Sequence, residues 1–211
     1  MLVFAGIALT GCEKENITGS GTVLTEDRAV TGFTEVVTRG AANVYITQGV
    51  DFNVQVKDYN NLLPHFETKL NGKALEVGFT PNTNVKNSRA EVFITMPTLE
   101  AVKTEGSGNI TTNGIFGLVN LFKASIVGSG NINIENASAL QFKTYIAGSG
   151  DIKAFGMIAS EAATQTDGSG DVELTATSKL DVRIAGSGSV YYKGTPTVSV
   201  NISGSGQVVP R

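Results

Sequence analysis

The chain has little of what most catalytic and cofactor sites are built from. It contains one cysteine, one histidine and no tryptophan in 211 residues. The lone Cys12 excludes an intrachain disulfide. The lone His65 has no motif around it, so neither a histidine-based triad nor a histidine-rich metal site is expected. Beside Pro64 it reads as a surface or partly buried side chain. Charge is sparse and balanced: 16 Lys+Arg against 19 Asp+Glu, a net charge of −3. No Lys/Arg cluster or basic stripe interrupts that balance, so nucleic acid is not an expected partner. Long apolar runs are missing too, which excludes a transmembrane helix in the body of the chain. Helical spacing of apolar residues is nowhere convincing. No cofactor is expected.

What is abundant is glycine, 25 residues against five prolines. Much of it lies in six copies of Gly-Ser-Gly, beginning at Gly106, Gly128, Gly148, Gly168, Gly186 and Gly204. The steps are 22, 20, 20, 18 and 18 residues. A fixed period of about 20 residues is the signature of a solenoid, each repeat one turn of a stack. Two residues before each copy stand Thr104, Ile126, Ile146, Thr166, Ile184 and Ile202. Four residues after each first glycine stand Ile110, Ile132, Ile152, Val172, Val190 and Val208. All are β-branched, the type that suits a pleated, half-buried surface. Upstream, Leu140 and Phe142, Leu180 and Val182, and Val198 and Val200 alternate with period two, as strands do.

The corner glycines have a physical role in this scheme. Glycine reaches positive φ without a Cβ penalty and lets backbones approach closely. The pairs Gly106 and Gly108, Gly128 and Gly130, Gly148 and Gly150, Gly168 and Gly170, Gly186 and Gly188, and Gly204 and Gly206 are therefore expected to stack as structural corners. A coil of about 20 residues, rising about 3.3 Å per residue, holds three short strands and their bends, with neighbouring coils about 4.8 Å apart. The expected fold is all-β: a single-stranded, right-handed parallel β-helix. The drift in period predicts insertions away from the corner, near Asn113–Leu118 and Asn136–Ala139. Residues 22–211 are expected to form one solenoid domain, with the Gly-Ser-Gly repeats over 106–206.

Between Thr22 and Pro97 the period fades but strand signals persist, as in Asn43–Thr47, Phe52–Val56, Ala74–Phe79 and Ala90–Met96. Asn71-Gly72 marks a hairpin. This half is expected to cap the solenoid, with antiparallel pairs more frequent than in the repeats. Leu62–Phe66 is the one stretch that could hold a helical turn, and Pro81–Arg89 reads as an exposed loop.

At the start, residues 1–11 form an apolar segment too short to span a bilayer but suited to the apolar part of a secretory signal. It lacks a basic leading region, so it reads as a truncated signal. Leu9-Thr10-Gly11-Cys12 resembles a bacterial lipobox, in which Cys12 is acylated. Residues 12–21 are then the lipidated cysteine and a polar tether. The alternative is a free or buried thiol.

The order of motifs resembles a known family. Val30-Thr-Gly-Phe-Thr-Glu-Val36, Gly40-Ala-Ala-Asn-Val-Tyr-Ile-Thr-Gln-Gly49, Asn61-Leu-Leu-Pro64 and the serial Gly-Ser-Gly-Asn/Asp-Ile/Val units resemble the putative auto-transporter adhesin, head GIN domain family, over about Phe33 to Gly206. The resemblance implies a β-helical, secreted or lipid-anchored protein of Gram-negative bacteria. It supplies no catalytic residues to carry over.

The remaining chemical candidates are few. Asp151 and Asp171 occupy one column of adjacent coils, about 5 Å apart if the coils are in register. Two such carboxylates, joined by Asp167, could share a cation or perform acid–base work; the other reading is an exposed Asn/Asp turn column. Gly-Ser-Gly is followed by strands, not by the helix a phosphate loop needs. Tyr45, Tyr59, Tyr145, Tyr191 and Tyr192 could line a sugar-binding face. Three functions follow: a lipid-anchored, non-catalytic envelope or surface protein that binds a protein or a glycan; a carbohydrate-active enzyme on a β-helix; or a structural envelope component. The scattered charges favour the first. The expected partners are a membrane, through the N-terminal lipid, and a protein or glycan ligand, on the bacterial outer membrane facing the periplasm or the cell surface.

Overall fold

The computed structural model describes residues 15–211; Cys12 and the apolar segment before it lie outside the described residues. Seventeen strands follow one another: β1 (Glu15–Thr18), β2 (Val23–Asp27), β3 (Glu35–Gly40), β4 (Asn43–Gln48), β5 (Asn53–Tyr59), β6 (Phe66–Asn71), β7 (Ala74–Phe79), β8 (Thr83–Lys86), β9 (Glu91–Met96), β10 (Ala101–Gly106), β11 (Ile110–Gly128), β12 (Ile132–Gly148), β13 (Ile152–Gly168), β14 (Val172–Gly186), β15 (Val190–Lys193), β16 (Thr197–Gly204) and β17 (Val208–Pro210). A 3₁₀ turn at Leu63–His65 is the only helical element among the described residues. From β10 onward every pairing is parallel, coil on coil, giving a β-solenoid of about six turns.

Each long strand is one coil bent twice. In β12 the inward residues fall in three sets: Ile132 and Ile134, Ala137 and Ala139, then Phe142, Thr144 and Ile146. Between the sets two successive residues face out, Glu135-Asn136 and Leu140-Gln141. A strict period of two cannot turn a corner, so an outward doublet marks each bend. That is why Leu140 is 48% exposed. The alternation through Leu140 and Phe142 expected from sequence breaks at the bend between them.

Of the twelve β-branched positions beside the corners, ten are fully buried. The exceptions, Ile202 and Val208, belong to the last coil, which has a neighbour on one side only. Phe122 and Phe142 meet edge-on inside the stack at 6.0 Å between ring centroids. The register drift lies where two coils change length. It appears between Thr112 and Leu118 of β11, as expected, and between Ala154 and Glu161 of β13. The second site corrects Asn136–Ala139, where β12 and β13 stay 20 residues apart in register.

The N-terminal half caps the stack. β3 and β4 form one more coil beneath β10 and β11, and β7 and β9 continue the parallel pairing below them. Antiparallel strands β2, β5 and β6 close that end. Phe33 packs on Phe52 and Phe66 on Phe79, filling the cap. Two segments read from sequence as irregular pair with each other: β1, in the expected tether, runs parallel to β8, in the expected loop. Asp58 explains how that loop is held. It is fully buried and accepts hydrogen bonds from the Ser88 hydroxyl at 2.6 Å and the Arg89 N–H at 2.8 Å. Asn61 then bridges to Thr18 and Ser20, tying β1 to the cap.

Candidate functional site

The six corners stand in one row along the axis, since Gly106, Gly128, Gly148, Gly168, Gly186 and Gly204 are direct partners from coil to coil. The row has a seventh member, Gly40, paired with Gly106. There Gly40-Ala-Ala42 stands in for Gly-Ser-Gly, 66 residues upstream, because cap strands β5 to β9 are inserted between that coil and the next. The first glycine of each copy has φ between +129° and +151°. Each carbonyl in the row accepts the N–H of the next coil's serine, as Gly128 does from Ser149 at 3.0 Å. The corner backbones therefore pack with no room for side chains.

Beside the glycine row runs a polar ladder: Asn43, Asn109, Asn131, Asp151, Asp171 and Ser189. Asn109 Oδ1 accepts the Asn131 N–H at 2.9 Å, Asn131 Oδ1 the Asp151 N–H at 2.9 Å, and Asp151 Oδ1 the Asp171 N–H at 2.9 Å. Asp171 Oδ1 in turn accepts the Ser189 N–H at 2.7 Å. Each side chain thus satisfies a corner N–H that strand pairing leaves over. Asp151 and Asp171 are adjacent and half-exposed. Asp167 accepts from Gln165 at 3.0 Å. No cluster of three or more His, Cys, Asp or Glu suited to a metal occurs among the described residues.

His65 lies in the cap, with Nδ1 3.9 Å from Glu15. The tyrosines are not gathered on one face. Tyr45 stacks on Phe93 at 5.3 Å, Tyr59 lies under Arg89, and Tyr191 under Arg211. Tyr145 stands alone on the outer face of β12 and is 36% exposed.

The side of the stack between the second bend and the Gly-Ser-Gly corner carries an open groove of about 580 Å³ across β12, β13, β14 and β16. A smaller depression of about 250 Å³ adjoins it. The outward rows beneath them are Lys143, Ala163, Asp181 and Ser199, and, next to it, Tyr145, Gln165, Arg183 and Asn201. Ala163 makes the depression, because its neighbours along the row are long or charged. Lys179 Nζ lies 2.6 Å from Asp181 Oδ2, and this hydrogen bond raises the Lys179 pKa above its usual value. Gln141 donates to Glu161. Both acidic groups of the groove are thus engaged, while Lys143 and Arg183 lie at outward positions and, among the described residues, have no carboxylate within ion-pair distance. Sequence inspection missed this groove because its residues lie about one coil apart and share no motif.

Comparison with known proteins follows the same lines. The family profile described as putative auto-transporter adhesin, head GIN domain, matches residues 32–196. No curated protein matches the chain. Among solved structures, a putative adhesin from Bacteroides fragilis NCTC 9343 superposes with a TM-score of 0.76 at 22% identity, covering 92% of this chain and 100% of that one. A putative lipid binding protein from Parabacteroides distasonis ATCC 8503 gives 0.60 at 24% identity over 93% of this chain and 100% of that one. A putative adhesin from Parabacteroides merdae ATCC 43184 gives 0.57 at 22% identity over 93% and 99%. At these identities the likeness is one of fold.

Proposed function

The chain belongs to the putative auto-transporter adhesin, head GIN domain family, and on that premise we propose that it is a lipid-anchored, non-catalytic binding protein of the bacterial envelope or cell surface. The observation that carries the reading is the family match over residues 32–196, nearly the whole stack. The solenoid suits the role. Its coils form a rigid rod with long outer faces, and such surfaces serve recognition in stacked-repeat proteins. Three of the outer-face carboxylates are engaged within the protein: Asp181 by Lys179, Glu161 by Gln141, and one oxygen of Asp151 by a backbone N–H.

Cys12 is the proposed acylation site. It precedes β1 by two residues, and β1 docks on the cap. An acyl group there sets the cap toward the membrane and the later coils away from it. The test has two arms. Wild type should fractionate with membranes and Cys12→Ser should not; identical partitioning overturns the anchor. The purified protein should retain a ligand in a screen of glycans and envelope proteins; retention of none overturns the binding role.

A further inference from the structure

The geometry points to the groove over Ala163 as the binding site for an acidic saccharide, an oligomer of uronic acid units. This rests on the binding role proposed above and names the ligand class. Three features carry it.

The first is charge. The two joined depressions hold Lys143, Lys179 and Arg183 against Glu161 and Asp181. That is a net charge of +1 (three cations less two anions) on a protein of net −3. Lys179 and Asp181 satisfy each other at 2.6 Å, which leaves Lys143 and Arg183 as the groove cations without an ion pair among the described residues. A guanidinium and an ammonium at the rim of a concave surface favour an anionic ligand, and the carboxylates of uronic acids suit both.

The second is spacing. Lys143 and Arg183 belong to β12 and β14, two coils apart. At about 4.8 Å per coil and about 3.3 Å per residue along the strand, two coils and two residues put their backbones about 12 Å apart, with Ala163 and Gln165 of β13 between them. The ligand they bracket is longer than one carboxylate. The groove of about 580 Å³ also falls within the usual range of small-ligand sites, roughly 300–1,000 Å³.

The third is the remaining lining. Ser199 and Asn201 offer a hydroxyl and an amide, Gln165 adds its amide oxygen while its Nε2 donates to Asp167 at 3.0 Å, and Tyr145 stands beside Gln165 on the preceding coil. Hydroxyl-bearing rings use such groups. An acidic peptide would instead need apolar side-chain pockets or a free strand edge. Strands β12, β13 and β14 are paired on both sides, only the end of the groove at β16 has an open edge, and the exposed lining side chains are polar or charged apart from Ala163; a peptide added to that edge is the outcome the poly-glutamate arm below detects.

The test is calorimetric titration of the full chain in detergent with oligogalacturonate, a neutral glucose oligomer of the same length, and a poly-glutamate peptide. Oligogalacturonate should bind at least tenfold more tightly than the neutral oligomer, and less tightly as salt is raised. Lys143→Ala with Arg183→Ala should weaken it at least tenfold. Ala163→Tyr fills the depression while keeping both cations, and should also abolish binding; circular dichroism confirms the fold of each variant. Equal binding of charged and neutral oligomers, or binding unchanged in the double variant, overturns the proposal. Poly-glutamate binding as tightly as the uronate overturns the saccharide assignment. If the variants still retain a ligand found in the general screen, the groove assignment fails while the binding role stands. If wild type retains nothing in either experiment, both fail.

Discussion

A methyl group added at Gly148 would sit 2.0 Å from the carbonyl oxygen of Gly128, on a residue whose φ is +141°. Neither the backbone angle nor the neighbour can yield without pulling two coils apart. Gly148→Ala should therefore cost about 1–3 kcal/mol or more. Gly117→Ala is the control, because nothing lies within 4 Å of its added carbon; it should change stability by less than about 0.5 kcal/mol. Equal urea midpoints for the two variants would contradict the corner packing. A second residue tests the core. In the column of Ile126, Ile146 and Ile184, one coil carries Thr166, fully buried, with a hydroxyl that has no hydrogen-bond partner among the described residues. In the same column the Thr104 hydroxyl donates to the Gly108 carbonyl at 2.8 Å. Thr166→Val keeps the shape and removes an unsatisfied polar group, so it should raise stability by about 1 kcal/mol. A lower melting temperature for Thr166→Val would show that the hydroxyl is satisfied after all.

Elements are joined here by ladders of side chains as well as by strand pairing. In the Asn/Asp column, Asp151→Asn preserves the oxygen that accepts the Asp171 N–H and removes one of two adjacent negative charges. Its stability should be unchanged or slightly higher. Asp151→Ala leaves that N–H without its acceptor and should cost about 1 kcal/mol. Millimolar calcium should leave the melting temperature of wild type and both variants where it was, since a ligand binding only the folded state would raise it. A calcium-dependent rise lost in Asp151→Asn would instead make the column a cation site. The link between Thr34 and Glu100, at the entries to β3 and β10, should respond to pH. Thr34 donates to Glu100 at 2.7 Å and Lys73 lies 3.4 Å away, holding the Glu100 pKa below its ordinary 4.5. A depressed carboxylate contributes stability that is present above the ordinary value and lost as pH falls through the folded one. Urea midpoints should thus fall less from pH 7 to pH 3 in Glu100→Gln than in wild type; identical pH slopes would rule out that contribution. The repeat coils were legible because each carries its own corner. The seventh corner was not, because Gly40-Ala-Ala42 lacks the central serine and its partner is 66 residues away. Nor was β1 with β8, since four residues a side with a single apolar one in each, Ile17 and Val85, show no apolar period, and the buried Asp58 that holds the loop has no local signal.

At the scale of the whole molecule, a period of about 20 residues specifies the stack, whereas the cap is specified by long-range pairing that no short window contains. The groove is invisible for the same reason: Lys143, Ala163 and Arg183 come together only once the coils are in register. Stacking also makes stability depend on place. Each coil gains from its neighbours, so stability is close to a sum of coil and interface terms. Inner coils β12 and β13 have a coil on both sides, and the first coil has the cap. The final coil, β16 and β17, has one neighbour, and Val200 and Ile202 remain 48% and 37% exposed. Opening that coil breaks one interface; opening β13 breaks two. Backbone amide exchange should therefore be slowest in β12 and β13 and fastest in β16 and β17, with the cap protected despite lying at the other end. Ile146→Ala should accordingly cost about 2–5 kcal/mol, whereas Ile202→Ala should cost clearly less. Uniform protection along the axis, or equal losses for these two isoleucines, would mean that the rod opens as one unit and that the last coil is covered in solution by something else.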